Sequence, residues 1–182
     1  FNLKKWYDIS LSKDSRWADY SVPPEGNANY AWILHMLSKL NAGKGVAGFL
    51  LANGALGDDD AADIRQQLIE NDKVEAIVVL PRDLFYTTDI SVTLWILNEN
   101  KKGGTWHDRK QRNRENEILF MDLRQWRENP VKKEQKKKVE LKVDQIKRAT
   151  EIYFKWQSEG TNGSNYSEAE EYRSVGLEEL VK

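Results

Sequence analysis

Cysteine is absent from the chain, which excludes disulfides, thiolate zinc sites and a cysteine nucleophile, and fits the expectation of a reducing, cytoplasmic, bacterial setting. Histidine occurs twice, at His35 and His107. Two imidazoles far apart in sequence, with no carboxylate arrangement around them, predict no metal site, since a metal needs several converging ligands. Proline occurs four times and methionine twice. No apolar run approaches the roughly 18 residues that a membrane-spanning helix requires, so no membrane partner is expected. Surplus charge is lacking as well: 28 basic against 29 acidic side chains leave a formal net charge of -1. A chain so balanced attracts nucleic acid only through local patches.

With 182 residues, 40% of them hydrophobic and 31% charged, the chain can bury a real core. Residues 9 to 29 are polar and carry Pro23, Pro24, Gly26 and Asn27, the composition of an ordered surface loop. Tyr30, Ile33, Leu34, Leu37 and Leu40 recur at helical spacing, with Gly43 placed to cap the helix. VAGFLLAN (46–53) is too short for a helix and predicts a buried strand. The acidic run Asp58 to Asp60 suits a helix start better than a magnesium site, and predicts a helix over 60–71.

VEAIVVL (74–80), rich in β-branched residues and stopped by Pro81, predicts a second strand, and ISVTLWIL (90–97) a third. Alternating helices and strands argue for a parallel α/β sheet, in which the third strand, reached without a helix, enters antiparallel. A polar, basic linker is expected over 101–116, followed by a strand at EILFMDL (117–123). Residues 130–148 carry eight basic against three acidic side chains, and Val143, Ile146, Thr150, Tyr153 and Trp156 continue as an amphipathic helix. That stripe could dock on a partner or pack on its own domain. GKGVAGF puts its glycines before a strand, the wrong context for a nucleotide-binding loop.

Five ordered segments, GNANYAWILHMLSKL, GKGVAGFLLANGAL, IRQQLIENDKVEAIVVLP, LFYTTDISVTLWILNENK and EILFMDLR, resemble the modification subunit of type I restriction-modification systems. VDQIKRATEIYFKW and YRSVGLEEL are similar to that family's C-terminal region. The resemblance implies transfer of a methyl group from S-adenosylmethionine to adenine N6 in DNA. It also implies three partners: the DNA itself, a specificity subunit that chooses the site, and a restriction subunit. The fold it implies is an α/β methyltransferase sheet, Rossmann-like and lacking its N-terminal strands, over 1–126, with a basic helical extension and tail over 127–182.

In that family the signature Asn-Pro-Pro-Phe forms part of a pocket for the extruded adenine, and the words after it resemble FNLKxW. The chain opens FNLKKW, so Phe1 matches the last residue of the signature, and its Asn-Pro-Pro and the upstream glycine-rich cofactor loop are not in these residues. No complete catalytic set is therefore expected here, and the chain alone is expected to be a fragment without activity. Phe85 and Tyr86 match the family's LFY-x-T-x-I-P loop, where an aromatic lies across the adenine pocket; Ser91 stands where proline is usual. Both aromatics could instead be ordinary core residues. Arg109, Lys110, Arg112 and Arg114 could follow DNA phosphates, or form a solvated charged surface. The alternative function is a non-catalytic subunit-interaction or DNA-binding module. A truncated sheet with a free strand edge also predicts self-association.

Overall fold

The structure, a computed structural model, describes residues 11–85, 88–126, 139–159, 166–168 and 171–180. Phe1, Tyr86 and the lysines between 132 and 138 lie outside the described residues. Helix α1 (Asn29–Leu37), strand β1 (Val46–Ala52), helix α2 (Ala62–Glu70) and strands β2 (Val74–Val79) and β3 (Val92–Asn98) form the first half. A small hairpin, β4 (Gly104–Trp106) and β5 (Arg109–Gln111), precedes β6 (Glu117–Asp122). Helix α3 (Val143–Glu159), strands β7 (Ser167–Glu168) and β8 (Tyr172–Gly176) and the short helix α4 (Leu177–Leu180) complete it.

Six strands form one sheet in the order β1-β3-β2-β6-β8-β7. β3 runs antiparallel between β1 and β2, which therefore point the same way, and β6 lies parallel to β2. The antiparallel entry of the third strand was legible in the sequence, because no helix separates it from β2. The otherwise parallel sheet that was expected is more mixed: among the described residues β2–β6 is the one parallel pair, and β8 returns antiparallel against β6.

One sheet face is covered by α1, α2 and the turns around them, where Tyr30, Ile33, Leu34, Ile64 and Leu68 meet Trp95 and Leu97. Tyr30 sets its ring edge-on to Trp95 at 6.1 Å, an arrangement favoured by the ring quadrupoles. The other face is covered by α3, whose Ile152 and Trp156 meet Ala76, Val78, Leu119 and Met121. A β-bulge between Val74 and Ala76 shifts the alternation of β2, so that these two residues, two apart in sequence, face opposite layers. Val74 and Ile77 join the first core, and Ala76 and Val78 the second, although a regular strand alternates every second residue.

Three expectations are corrected. α1 ends at Leu37, and Gly43 (φ 71°) sits in the turn beyond rather than at the cap. β1 is an edge strand and not a buried one: Ala47, Phe49 and Leu51 face the first core, while Val46 and Leu50 are 48% and 45% exposed because α3 covers β2 and β6 and not β1. The basic stretch 101–116 is no plain linker but contains the β4–β5 hairpin. Its central residues His107 (φ 45°) and Asp108 (φ 62°) are both left-handed, as a two-residue turn matched to the strand twist demands. Within the span expected as an extension and tail, α3 packs on the sheet and β8 adds a strand to it.

Among the described residues no helix is long and apolar enough to cross a membrane. Burial holds the phenol protons of Tyr20, Tyr30 and Tyr153 above the usual value of 10.0. The folded chain therefore keeps protons that the unfolded chain releases, and stability is full below about pH 10 and falls as pH rises past it. Burial depresses the Lys101 ammonium below 10.5, which acts in the opposite sense, since the folded state sheds that proton first. With three groups against one, the urea midpoint is expected to fall between about pH 9 and pH 11. Tyr153→Phe should flatten that fall; an unchanged profile would contradict it.

Candidate functional site

The carboxyl ends of β1 and β2 and the start of β3 meet at one edge of the sheet. Asn53, directly after β1, donates its backbone N–H to the Ser91 carbonyl (3.0 Å) and accepts from the Thr93 hydroxyl at its side-chain oxygen (3.0 Å). Leu80 and Ser91, at the two ends of the β2–β3 connection, come together beside this point. The base of this loop is fixed by Leu80 N–H to the Val92 carbonyl (2.9 Å) and by the Ser91 hydroxyl, which donates to the Leu80 carbonyl (3.3 Å). Where the family resemblance leads one to expect a proline, Ser91 thus ties the loop by a hydrogen bond. Arg82 Nε donates to the Asp89 carbonyl (3.2 Å) and Thr88 Oγ1 accepts from the Ile90 N–H (3.3 Å), bracing the far limb. Phe85 is 39% exposed on this loop. It is thus set apart from the buried residues of both cores.

The loop preceding α1 is tied to the same edge. Asp58 accepts from Asn27 Nδ2 (2.7 Å) and Asn29 Nδ2 (3.4 Å), and its carbonyl accepts from Arg65 (2.9 Å). Tyr30 donates to the Ala55 carbonyl (2.8 Å) below. Asp58 is thus engaged by amides just ahead of the turn that leads into α2. Neither Asn53 nor Thr93 was singled out from sequence, and Asn27 was named only as a turn former. The GNANY segment carried the signal, since two asparagines ahead of a helix are suited to local hydrogen bonding. Asp14 is held at about 2 by its hydrogen bonds to Arg16, whose other guanidinium nitrogen lies 3.1 Å from His35 Nδ1.

Gly54 and Gly57 follow β1 and lead towards α2, so they test whether these residues could cradle a cofactor. A Cβ at either position would meet nothing within 4 Å, and neither backbone is left-handed. The turn is not built around glycine, so it lacks the close backbone approach by which a glycine-rich loop would hold a cofactor such as S-adenosylmethionine.

The four basic residues of 109–114 lie at the opposite end of the sheet, between the carboxyl end of β3 and the amino end of β6. They are not one surface. Arg114 is fully buried, 3.0 Å from a fully buried Glu75, and it also donates to the Arg112 carbonyl (2.7 Å) and to Gln111 Oε1 (3.1 Å). Arg112 forks onto both carboxylate oxygens of Glu117 (2.9 and 2.7 Å) and donates from Nε to the Trp156 carbonyl (2.9 Å). The expectation of phosphate contacts is thus corrected for Arg114, whose charge is spent inside, and Arg112 is similarly committed; Lys110 is exposed and Arg109 half-buried. Lys101 completes the group, donating to the Val74 (2.9 Å) and Glu117 (2.7 Å) carbonyls and pairing with Asp72. One sequence signal could have exposed the network: Glu75 interrupts the apolar run of β2, and a buried carboxylate demands a cation.

Compared with known proteins, the chain matches the N-6 DNA Methylase family over residues 1–180. It is 42% identical over 127 residues to the type I restriction enzyme HindI methylase subunit of Haemophilus influenzae, covering 69% of this chain and 26% of that one. The MjaIX methylase subunit of Methanocaldococcus jannaschii is 48% identical over 81 residues, covering 44% of this chain and 14% of that protein. Among solved structures, the methyltransferase subunit of a type I restriction-modification system from Streptococcus thermophilus superposes with a TM-score of 0.77 at 20% identity, over 100% of this chain and 34% of that one. The EcoKI M protein superposes with a TM-score of 0.59 at 17% identity, covering 87% and 36%. The mixed α/β sheet thus has the fold found in these methyltransferase subunits. The chain belongs to the N-6 DNA methylase family, and spans about a quarter of the HindI subunit's length.

Proposed function

We propose that the protein carrying this chain methylates adenine N6 in DNA with S-adenosylmethionine as donor, within a type I restriction-modification complex that includes a specificity and a restriction subunit. Phe85 is the observation that carries this reading: an aromatic ring left open on a braced loop, at the carboxyl edge of a methyltransferase-type sheet. Adenine N6 is inaccessible to a donor within a stacked duplex, so the base has to be extruded and held. An aromatic face supplies that hold at about 1–3 kcal/mol per base. Tyr86 and Phe1 are proposed as further walls on the family resemblance alone, and the methyl donor is held outside the described residues. Of the basic residues, Lys110 and Arg109 are the ones still open to a phosphate.

The test is methyl transfer from labelled S-adenosylmethionine to duplex DNA by the gene product carrying this chain, assembled with its specificity subunit. Label is expected on adenine N6. Phe85→Ala should lower kcat/KM about tenfold to a hundredfold, and Phe85→Tyr should retain most of it. Label on cytosine, or no label on DNA, would overturn the reading; an unaffected Phe85→Ala would overturn the role of the loop.

A further inference from the structure

At the sheet end opposite the Phe85 loop, a cavity of about 210 Å³ opens between the β4–β5 hairpin, α3 and the start of β1. Its apolar surfaces come from Val46, Trp106, Tyr153 and Phe154, and its cations are Lys44 and Arg109; among the described residues no carboxylate lines it. Arg109 is the decisive residue. Its guanidinium lies 3.6 Å from the centre of the Phe154 ring, and one nitrogen donates to Gln157 Oε1 (3.2 Å). Stacked and tethered, it is fixed before any ligand arrives, so binding need not order it.

The charge next to it is already balanced. Glu75 pairs with Arg114, Glu117 with Arg112 and Asp72 with Lys101. Among the described residues neither Arg109 nor Lys44 pairs with a carboxylate, so both are surplus positive charge facing one cavity. The carbonyls at the end of α3, which would repel an anion, are neutralised in part by Arg112, whose backbone N–H donates to the Gln157 carbonyl (2.8 Å) and whose Nε donates to that of Trp156 (2.9 Å). A volume somewhat above the roughly 150 Å³ that accepts one benzene ring suits one small planar ring. Asn100 also lines the cavity, and its amide can address ring heteroatoms.

We propose that this cavity is a second binding site, for a pyrimidine nucleoside monophosphate, with the ring against Trp106 and the phosphate between Arg109 and Lys44. Forked guanidinium contacts favour a phosphate over a simple halide, and the aromatic wall favours a base over a bare ion.

Calorimetric titration of the full chain with uridine monophosphate tests it, a pyrimidine being used so that the proposed adenine pocket is not what is read. Binding is expected, with uridine and inorganic phosphate each at least about tenfold weaker. Arg109→Gln and Trp106→Leu should each weaken it at least about tenfold, while Lys39→Ala, an exposed cation elsewhere, should leave it unchanged. Lys44→Ala, on an exposed turn where folding is not at stake, should weaken binding measurably. The proposal is overturned if uridine monophosphate does not bind at millimolar concentration, if phosphate binds as tightly, or if Arg109→Gln and Trp106→Leu both bind like the parent.

Discussion

Arg114→Met is expected to destabilise the chain by about 3–5 kcal/mol, the cost of leaving one member of a buried ion pair without its partner. Both side chains are completely buried. Removing the guanidinium strands the Glu75 carboxylate, which would retain neutral donors alone among the described residues: the Gln157 amide (3.0 Å), the Asn98 amide and the Tyr153 hydroxyl. It also releases the Arg112 carbonyl, the Asn100 carbonyl and Gln111 Oε1, so the hairpin loses its footing on the sheet. Pairing the change with Glu75→Leu should recover only part of the loss, because the Asn98 and Gln157 amides then lack their acceptor. Urea denaturation of the two single variants and the double variant measures this. A double variant no more stable than Arg114→Met would show that the stranded charge is not what costs, and a single variant within about 1 kcal/mol of the parent would refute the assignment altogether.

Trp156→Ala should cost a similar amount, about 3–5 kcal/mol, for a different reason. Its ring is fully buried between α3 and the sheet, and its Nε1 donates to Ser174 Oγ on β8 (3.1 Å). The guanidinium carbons of Arg112 and Arg114 lie 5.4 and 5.8 Å from its ring centre. Alanine would empty a large cavity and unfasten β8 at once, whereas Trp156→Phe keeps most of the ring volume and loses chiefly the hydrogen bond. The Phe variant should therefore sit well above the Ala variant in a thermal melt; equal losses would mean that the hydrogen bond, not the packing, holds β8.

What was legible in the sequence follows from these two residues. Elements with their own periodicity were readable: the stripe of α1, the β-branched run of β2, and ILFM in β6. The five-segment resemblance led to the family and to the Phe85 loop. Two kinds of feature were not readable. Charged residues look alike whether solvated or buried, so Arg109, Lys110, Arg112 and Arg114 read as one basic patch, although Glu75, some 40 residues away in sequence, draws Arg114 inside. Short strands without a clear alternation, such as YRSVG in β8, are fixed by their neighbours: Ile118 opposite Val175 and Phe120 opposite Arg173 set its register, and no local pattern announces it. The amide contacts on Asp58 likewise depend on a loop and a turn brought together only by the fold.

The position of β3 between β1 and β2 has a consequence for synthesis on the ribosome. Ala52 pairs with Val92, so roughly 40 further residues must be translated before the first apolar strand meets its neighbour, an interval on the order of seconds at ordinary elongation rates. Throughout that interval VAGFLLA has emerged while the hydrogen-bonding groups that β3 will meet are still unpaired, and within these residues α1, and later α2, are the helices that can cover its apolar face.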